Sequence, residues 1–233
     1  MDNQYEAILL AAGSAKRFEH PAQLNKLLMP INQRPVFDYS LKLLLDDEKC
    51  LKIWFVINAE NQTMIKNAVK ELYEEMPGKI NWVLGGRERQ DSVSRALNQV
   101  SCSKNQKVLV HDAARPFVTV ELLDKLIDKG KDSVAATLGI PAKDSIKLVK
   151  DSLVYQSLYR PEVWHIQTPQ LFDCQVLTEA METAEKDRFY GNEEAELVER
   201  LGYPVEIVEG SDYNFKLTTA FDYRVAKMLK ENK

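Results

Sequence analysis

Residues 5–26, YEAILLAAGSAKRFEHPAQLNK, begin as an apolar strand and pass at residues 11–14 into a turn of small side chains. Three basic residues come after this turn, namely Lys16, Arg17 and Lys26. Small side chains let backbone amides approach an anionic ligand, and nearby cations neutralise its charge. The turn has neither the Gly-Lys-Ser/Thr of a Walker loop nor the three spaced glycines of a dinucleotide fingerprint. It predicts a nucleoside triphosphate site of a third kind, at the carboxyl end of the first strand of an open α/β sheet.

The composition is typical of an ordinary globular protein. The chain has 233 residues, of which 45% are apolar and 28% charged, with a formal net charge of −4. That charge provides no basic surface for nucleic acid and no polybasic patch for a membrane. No apolar run approaches the roughly 20 residues of a membrane span, and the start MDNQYE lacks the regions of a signal peptide. We therefore expect a cytoplasmic protein with neither nucleic acid nor membrane as a partner.

The cysteines carry no recognisable pattern. Cys50, Cys102 and Cys174 are far apart, odd in number and without CxxC spacing. Such cysteines favour reduced thiols over a disulfide framework or a zinc site.

Apolar runs alternate with amphipathic stretches through the first two thirds of the chain. The predicted strands cover residues 7–11, 52–58, 79–84, 107–111 and 133–140, and the predicted helices start at Pro35 or cover 62–76, 91–100 and 120–129. This alternation predicts an α/β fold with a mainly parallel, doubly wound sheet that is covered by helices on both faces.

The alternation changes after Pro141. Residues 145–149 and 153–158 are short β-type runs around a polar turn, and they predict a hairpin that projects from the body. Helices are predicted at 173–186, at 193–201 and after Thr219, with a strand at 205–208. We expect a single domain over residues 1–233, with a β-arm at about 141–160.

Four polar clusters follow predicted strands. The first is residues 13–26, which a flexible surface loop with scattered lysines would also explain. The second is GGRERQDSV at 85–93. A double glycine before a helix can present free amides to a base or a phosphate, but a tight turn with solvated charges fits this segment equally well.

The third cluster is HDAARP at 111–116. Asp112 directly after a buried strand suits a magnesium ligand that acts through oxygen. The alternative is a helix-capping aspartate paired with Arg115. We favour a functional role, because two charged groups beside alanines at a strand end are an unusual structural choice. His111 is expected to be packed or hydrogen-bonded rather than to act as a base.

The fourth cluster is split along the chain between Arg160, Thr168, Asp212 and Lys216. Lys216 alternates with apolar neighbours, so it faces a cleft or solvent if those neighbours face the core. Spacing alone does not choose between these two environments.

These residue types suit one kind of chemistry. Transfer of a nucleotidyl group to a phosphate brings two anions together, and cations must offset their repulsion and stabilise the transition state. One cation at ~4 Å contributes about 4 kcal/mol at an effective dielectric constant of 20. The sequence has no Ser-His-Asp, paired Cys-His or HExxH pattern that would indicate another reaction.

Eight blocks of sequence then carry a resemblance to a known family. They are AAGSAKR (11–17), Lys26, GGRERQDSV (85–93), VHDAARPF (110–117), PAKDSIK (141–147), WHIQTPQLF (164–172), EEAELVE (193–199) and NFKLTT (214–219). In this order they resemble the 2-C-methyl-D-erythritol 4-phosphate cytidylyltransferase family of the non-mevalonate isoprenoid pathway. HDAARP and QTPQ are specific to it, whereas the glycine pairs are not.

The resemblance implies a fold of the nucleotide-diphospho-sugar transferase type and a homodimer whose β-arms cross. It implies in-line attack of the methylerythritol phosphate on the α-phosphorus of CTP, with pyrophosphate leaving and Mg²⁺ or another divalent cation present. By the same resemblance, CTP would bind at Ala11, Ala12, Gly13, Gly85, Gly86 and Ser92, and catalysis would fall to Arg17, Lys26 and Lys216. The polyol phosphate would bind at Asp112, Arg115, Ser145, Arg160, Thr168 and Asp212, with Asp112 also near the metal. Arg160 and Ser145 would act in the active site of the partner subunit.

The chain departs from the family pattern at a few positions. Ala15 replaces a usual glycine, Leu27 follows Lys26 where glutamine is usual, and Ser145 replaces a usual threonine. The stretch from Arg17 to Lys26 is also longer than usual, so this loop could close differently.

Two rival interpretations remain open. One is ribitol-5-phosphate cytidylyltransferase, which has the same fold and mechanism. Ala114, KDSIK and EEAELVE lean towards the methylerythritol family, but a few hydrogen bonds are enough to change polyol specificity. The other rival is a catalytically silent nucleotide-binding protein of the same fold. The presence of Arg17, Lys26, Arg160 and Lys216 argues against it.

Overall fold

The computed structural model describes residues 3–13 and 25–231, and helices and strands alternate through most of them. The strands are β1 (Tyr5–Ala11), β2 (Pro30–Ile31), β3 (Arg34–Pro35), β4 (Cys50–Ile57), β5 (Ile80–Leu84), β6 (Lys107–Asp112), β7 (Ala135–Pro141), β8 (Lys147–Lys150), β9 (Leu153–Ser157), β10 (Trp164–Asp173) and β11 (Val205–Glu209). The helices are α1 (Val36–Asp46), α2 (Gln62–Tyr73), α3 (Arg89–Leu97), α4 (Val120–Gly130), α5 (Cys174–Lys186), α6 (Glu194–Arg200) and α7 (Ala220–Glu231), and a 3-10 turn covers Arg160–Glu162. Within these described residues, none of the helices has both the length and the apolar character needed to cross a membrane.

The central sheet is mainly parallel, as the sequence predicts. In the described residues seven strands form it in the order β11-β7-β10-β6-β1-β4-β5. Strand β1 runs parallel to both β4 and β6, and β11 runs parallel to β7. The carboxyl ends of β1, β4 and β6 therefore lie at one edge, where open α/β sheets bind their ligands.

Helices cover both faces of this sheet. Successive residues of β1 point to opposite faces, so that Leu9 packs with Phe37 of α1 while Ile8 packs with Val93 of α3. Both β1 residues are fully buried, which fits a strand covered on both sides. The prediction of a doubly wound fold is confirmed.

The predicted hairpin is present as β8 and β9, which pair antiparallel. Its turn residues Asp151 and Ser152 both have positive φ, at 49° and 65°, as the two-residue turns of hairpins require. The hairpin exposes apolar side chains, among them Leu153 at 73% and Val154 at 61%.

Strand β10 is the main element that the sequence does not predict. It inserts between β6 and β7 and runs antiparallel to both. Its pairing with β7 shifts register between Gln167 and Gln170, around Pro169. Proline has no N–H for a ladder, and it is found in sheets at such irregularities.

The expectation of three reduced thiols is wrong for one pair. Cys102 and Cys174 form a disulfide with their Cα atoms 5.4 Å apart, while Cys50 is free and buried. The pairing of β6 with β10 sets Asp173 opposite Lys107 and so brings the two cysteines together. The contact joins residues 72 positions apart and depends on the unpredicted strand β10.

Candidate active site

The predicted nucleotide residues meet at the ends of β1 and β5. A Cβ atom on Gly85 would overlap the Cβ of Ala12 and would lie 2.9 Å from Oγ of Ser92. Ala11 is buried at the end of β1, and Gly13 is exposed just beyond Ala12. The loops after β1 and β5 therefore lie in close contact here, and position 85 needs a glycine because a side chain would overlap Ala12.

Ser92 organises the loop that leads into α3. Its Oγ accepts a hydrogen bond from the Gly86 amide at 3.0 Å and donates one to the Glu88 carbonyl, also at 3.0 Å. Glu88 and Asp91 form a capping box at the start of the helix. The Gly86 amide is thus already bonded within the loop, and the Gly85 amide donates to the Ile57 carbonyl at 2.9 Å. The double glycine therefore does not present the two free amides that its sequence could offer, and the tight turn is the interpretation that the structure supports.

Asp112 lies at the carboxyl end of β6 and is surrounded by cations. Its Oδ2 is 2.8 Å from Nζ of Lys216 and 3.9 Å from Nε of Arg115, and its Oδ1 is 3.3 Å from Nε of Arg89. Burial would raise the pKa of Asp112, but Arg89, Lys216 and Arg115 together hold it well below its usual range. The carboxylate is ionised, and it holds these cations at one edge of the sheet.

Thr168 and His111 form the buried floor behind Asp112. Oγ1 of Thr168 accepts a hydrogen bond from the Asp112 amide at 3.0 Å and lies 3.0 Å from Nδ1 of His111. Nε2 of His111 lies 3.2 Å from Oγ of Ser40. Burial lowers the pKa of His111 to about 3, although Asp112 acts in the opposite direction. His111 is therefore a neutral, hydrogen-bonded residue, as expected.

The loop before α7 presents Lys216 to the site. Arg115 donates to the carbonyl of Asn214 at 2.7 Å, and Nδ2 of Asn214 donates to the carbonyl of Thr168 at 3.0 Å. Leu217 is fully buried next to Lys216 in the chain, and its amide donates to the Ala114 carbonyl. Of the two environments left open for Lys216, a cleft or solvent, the structure shows the first, because Lys216 lines a cavity together with Asp112.

Arg89 contacts two buried carboxyl groups, those of Asp112 and Glu194. Its Nη1 donates to Oε1 of Glu194 at 2.6 Å, in addition to the contact of its Nε with Asp112. Burial would lower the pKa of Arg89, but Glu194 and Asp112 raise it above its usual range. Arg89 thus stays charged between two buried carboxyl groups.

These groups border a cavity of about 480 Å³. The residues that matter for its chemistry are Arg89, Asp112, Arg115, Thr168, Gln170 and Lys216. Glu193, Glu196 and Glu199 line another part of the same wall. The part with Arg89, Arg115 and Lys216 is therefore the part suited to an anionic ligand.

A metal ion could be held here only with help from a ligand. Among the residues described, no group of three or more histidine, cysteine, aspartate or glutamate side chains is arranged to bind one. Mg²⁺ commonly takes one or two protein carboxylates and completes its shell with phosphate oxygens and water. The ionised Asp112 at the cavity wall fits that limited role.

The remaining predicted residues lie elsewhere. Asp212 is exposed and forms an ion pair with Lys143, whose carbonyl accepts a hydrogen bond from Arg160 at 2.9 Å. Ser145 is exposed close by in sequence, at the base of the hairpin. The three residues do not line the cavity around Asp112, but they lie close to the start of the arm.

Two predicted catalytic residues belong to the first loop. Arg17 lies outside the described residues. Lys26 is partly buried, and its carbonyl accepts a hydrogen bond from the Met29 amide at 3.3 Å. It is not among the residues that line the cavity around Asp112.

A family model described as IspD: 2-C-methyl-D-erythritol 4-phosphate cytidylyltransferase matches residues 5–231. The chain belongs to this family. It is 41% identical over 218 residues to the 2-C-methyl-D-erythritol 4-phosphate cytidylyltransferase of Dictyoglomus thermophilum, which covers 92% of this chain and 91% of that protein. It is 40% identical over 227 residues to the protein of the same name from Shouchella clausii, covering 97% and 96%.

The fold agrees with this assignment. The crystal structure of 4-diphosphocytidyl-2C-methyl-D-erythritol synthase from Anaerococcus prevotii superposes with a TM-score of 0.84 at 27% identity, covering 99% of this chain and 97% of that one. The resemblance that the eight blocks predict is confirmed for the family and for its α/β nucleotidyltransferase fold. The ribitol-5-phosphate alternative is not favoured, because the matching IspD model and these relatives carry the methylerythritol name.

Sequence reasoning missed Arg89 and Glu194 as members of the IspD site. Both stand inside blocks that resemble the family, but their contact joins positions 105 residues apart. A usable signal was present, because Glu194 directly precedes an apolar helical stretch in which an unpaired buried carboxylate would be unfavourable. That signal predicts a basic partner for Glu194, but it does not indicate which residue the partner is.

Proposed function

We propose that this protein joins CTP and 2-C-methyl-D-erythritol 4-phosphate to give 4-diphosphocytidyl-2-C-methyl-D-erythritol and pyrophosphate. The observation that carries the proposal is the cavity around Asp112, part of whose wall is formed by Arg89, Arg115 and Lys216, in a chain of this family. That part of the wall suits a phosphate group, and we assign the nucleoside to the neighbouring loops at Ala12 and Gly85.

The chemistry requires positioning more than proton transfer. The attacking phosphate oxygen is already ionised at neutral pH, so no general base is needed, and the neutral His111 is not used as one. Catalysis then rests on holding two anions in line and on stabilising the charge that grows at the α-phosphate. We assign that stabilisation to Lys216, together with Lys26 and Arg17 from the first loop.

The binding roles follow from position. Ala11, Ala12, Gly13, Gly85, Gly86 and Ser92 would hold the cytidine part of CTP. Asp112, Arg115 and Thr168 would hold the polyol phosphate from within the same subunit. Asp112 would also contribute one oxygen ligand to Mg²⁺ or another divalent cation, which would neutralise part of the triphosphate charge.

We further propose that the protein works as a homodimer through crossed β-arms, residues 141–160. In this arrangement Ser145 and Arg160 would complete the substrate site of the partner subunit, and Asp212 would add a contact to the polyol. The exposed apolar side chains of the hairpin support the proposal, because an isolated hairpin is marginally stable and its apolar surface is better buried in an interface. The single-domain organisation and the cytoplasmic location stay predictions.

The test is magnesium-dependent release of pyrophosphate from the purified protein with CTP. Methylerythritol phosphate and ribitol phosphate are offered separately, each with and without a chelator. Release with methylerythritol phosphate alone is expected. Release with ribitol phosphate alone would make the protein a ribitol-5-phosphate cytidylyltransferase instead. No release with either substrate, in a folded protein that still binds CTP, would overturn the proposed catalysis.

A further inference from the structure

Four ionisable side chains lie in a row across the site, with carboxyl and basic groups alternating. Burial raises the pKa of Glu194, while the adjacent Arg89 acts in the opposite direction and favours the carboxylate. Glu194 contacts Arg89 at 2.6 Å, Arg89 contacts Asp112 at 3.3 Å, and Asp112 contacts Lys216 at 2.8 Å. Glu194, at the far end of this row, is 1% exposed. This buried carboxyl group is not among the residues that line the cavity around Asp112.

Stability alone is a weak reason for such a pair. Taking two charges out of water costs several kcal/mol per ion, and well-packed apolar residues often stabilise a protein as much or more. Nη2 of Arg89 and Oε2 of Glu194 are also buried without a hydrogen-bond partner in the described part of the chain. A pair that leaves two polar atoms unsatisfied is poorly optimised as a structural ion pair.

The pair joins the two halves of the site. Arg89 is the first residue of α3 and directly follows the loop that carries Gly85 and Gly86, whereas Glu194 is the first residue of α6. Beside this contact, Nε2 of Gln90 donates to the Phe189 carbonyl, and Oε1 of Gln90 accepts a hydrogen bond from the Gly191 amide, both at 3.0 Å. The connection before α6 is therefore fastened to the first turn of α3, and Arg89 is held from both directions.

We propose that Glu194 is a positioning residue that acts through Arg89 on Asp112 and thereby on Lys216. The guanidinium of Arg89 is shared between two carboxyl groups. Glu194 therefore limits how strongly Arg89 is attracted to Asp112, and Oδ2 of Asp112 stays available to Lys216. Without the Glu194 charge, Arg89 is drawn to Asp112 and competes with Lys216, whose ammonium then loses its fixed place at the cavity.

This inference rests on the proposed function and predicts a split between kinetic constants. In Glu194→Gln the misplaced Lys216 lowers kcat by on the order of tenfold, because part of the stabilisation of the transition state is lost. The site loses one negative charge, so the KM for the polyol phosphate does not rise. Glu182→Gln, which removes an exposed charge on α5, is the matched control and leaves both constants unchanged.

A double-mutant cycle tests the route of the effect. If Glu194 acts through Arg89, the kcat of Arg89→Gln/Glu194→Gln equals that of Arg89→Gln within about twofold. If the double variant instead lowers kcat by the product of the two single effects, Glu194 does not act through Arg89. An unchanged kcat in folded Glu194→Gln would overturn the proposal. If Glu194→Gln does not fold, Glu194→Asp is measured instead, and because its shorter side chain cannot keep the 2.6 Å contact with Arg89, it too must lower kcat.

A measurement that needs no turnover separates this inference from the proposed function. The protein is treated with an amine-acylating reagent, and the rate at which Lys216 is acylated is measured by mass spectrometry relative to that of exposed Lys129. We expect several-fold faster labelling of Lys216 in Glu194→Gln than in the parent or in Glu182→Gln, because Lys216 has lost its fixed carboxylate. Equal labelling would overturn the inference even if the protein turns out to have another activity.

Discussion

The ammonium of Lys216 lies 2.8 Å from Oδ2 of Asp112, at the end of the buried strand β6. The main cation of the cavity thus has an anionic partner within the protein. A phosphate that enters must compete with this carboxylate, and when it succeeds it meets an ammonium that is already in place. Such pre-positioning reduces the reorganisation needed during the reaction.

We expect Lys216→Met to lower turnover by on the order of 10²-fold or more, as the loss of one transition-state donor does. The side chain is about a third exposed, so the change should leave the fold intact. Pyrophosphate release by the parent and the variant measures the effect, with Lys129→Met on the exposed side of α4 as the control. A folded Lys216→Met protein with unchanged turnover would remove Lys216 from the mechanism.

We expect Gly85→Ala to raise the KM for CTP. The added methyl group would overlap Ala12 and crowd Ser92, and overpacking of this kind typically costs about 1–3 kcal/mol. The matched control is Gly78→Ala, because a Cβ on Gly78 meets no atom within 4 Å. Thermal unfolding and the CTP dependence of turnover are measured on both. A Gly85→Ala protein that keeps the parental KM for CTP would place the nucleotide elsewhere.

We expect His111 to make the folded state sensitive to mild acid. Burial lowers its pKa from 6.5 to about 3, so on acidification the unfolded chain takes up the proton first. The stabilisation is complete above about pH 6.5 and is lost as the pH falls towards 3, by about 1.4 kcal/mol per pH unit.

Denaturant unfolding of the parent and of His111→Gln at several pH values measures this loss. Between pH 6.5 and 5 the parent should lose about 2 kcal/mol more than the variant. His165→Gln, at an exposed position of β10, should behave like the parent. The same pH slope in the parent and in His111→Gln would show that His111 is protonated in the folded state.

We expect Arg160→Ala in one subunit to impair the site of the other. Mixing Arg160→Ala with Lys216→Met then creates dimers in which one site has both residues intact. For statistical assembly of a symmetric dimer, the mixture should recover about a quarter of the parental activity. Each variant alone is the control, and a mixture no more active than its components would rule out an arm that acts in the partner's site.

The sequence predicts those parts of the fold that depend on local patterns. The apolar run before Ala11 and the alternation of helices and strands after it are periodic over enough residues to be recognised. The hairpin is likewise predicted, because its turn lies between two β-type runs. Strand β10 escapes prediction because Pro169 interrupts it and because its first half follows a short 3-10 turn rather than a loop.

The site residues likewise fall into those that local sequence patterns predict and those that depend on contacts between distant elements. The residue types at the ends of predicted strands, such as Asp112, indicate where charged groups gather. The contacts of Arg89 with Glu194 and of Cys102 with Cys174 depend on which elements become neighbours in space. That information lies in the sheet order around β10, and no local pattern in this chain encodes it.

The direction of β10 has a mechanical consequence. Because it runs against its neighbours, its start lies at the base of the arm, and Thr168 follows Trp164 by four residues, a distance of about 13 Å along the strand. Thr168 in turn holds the backbone of Asp112. The base of the arm and the hydroxyl group that holds Asp112 are therefore the two ends of one short strand segment paired with β7, and a displacement at the base of the arm would be passed on to Asp112.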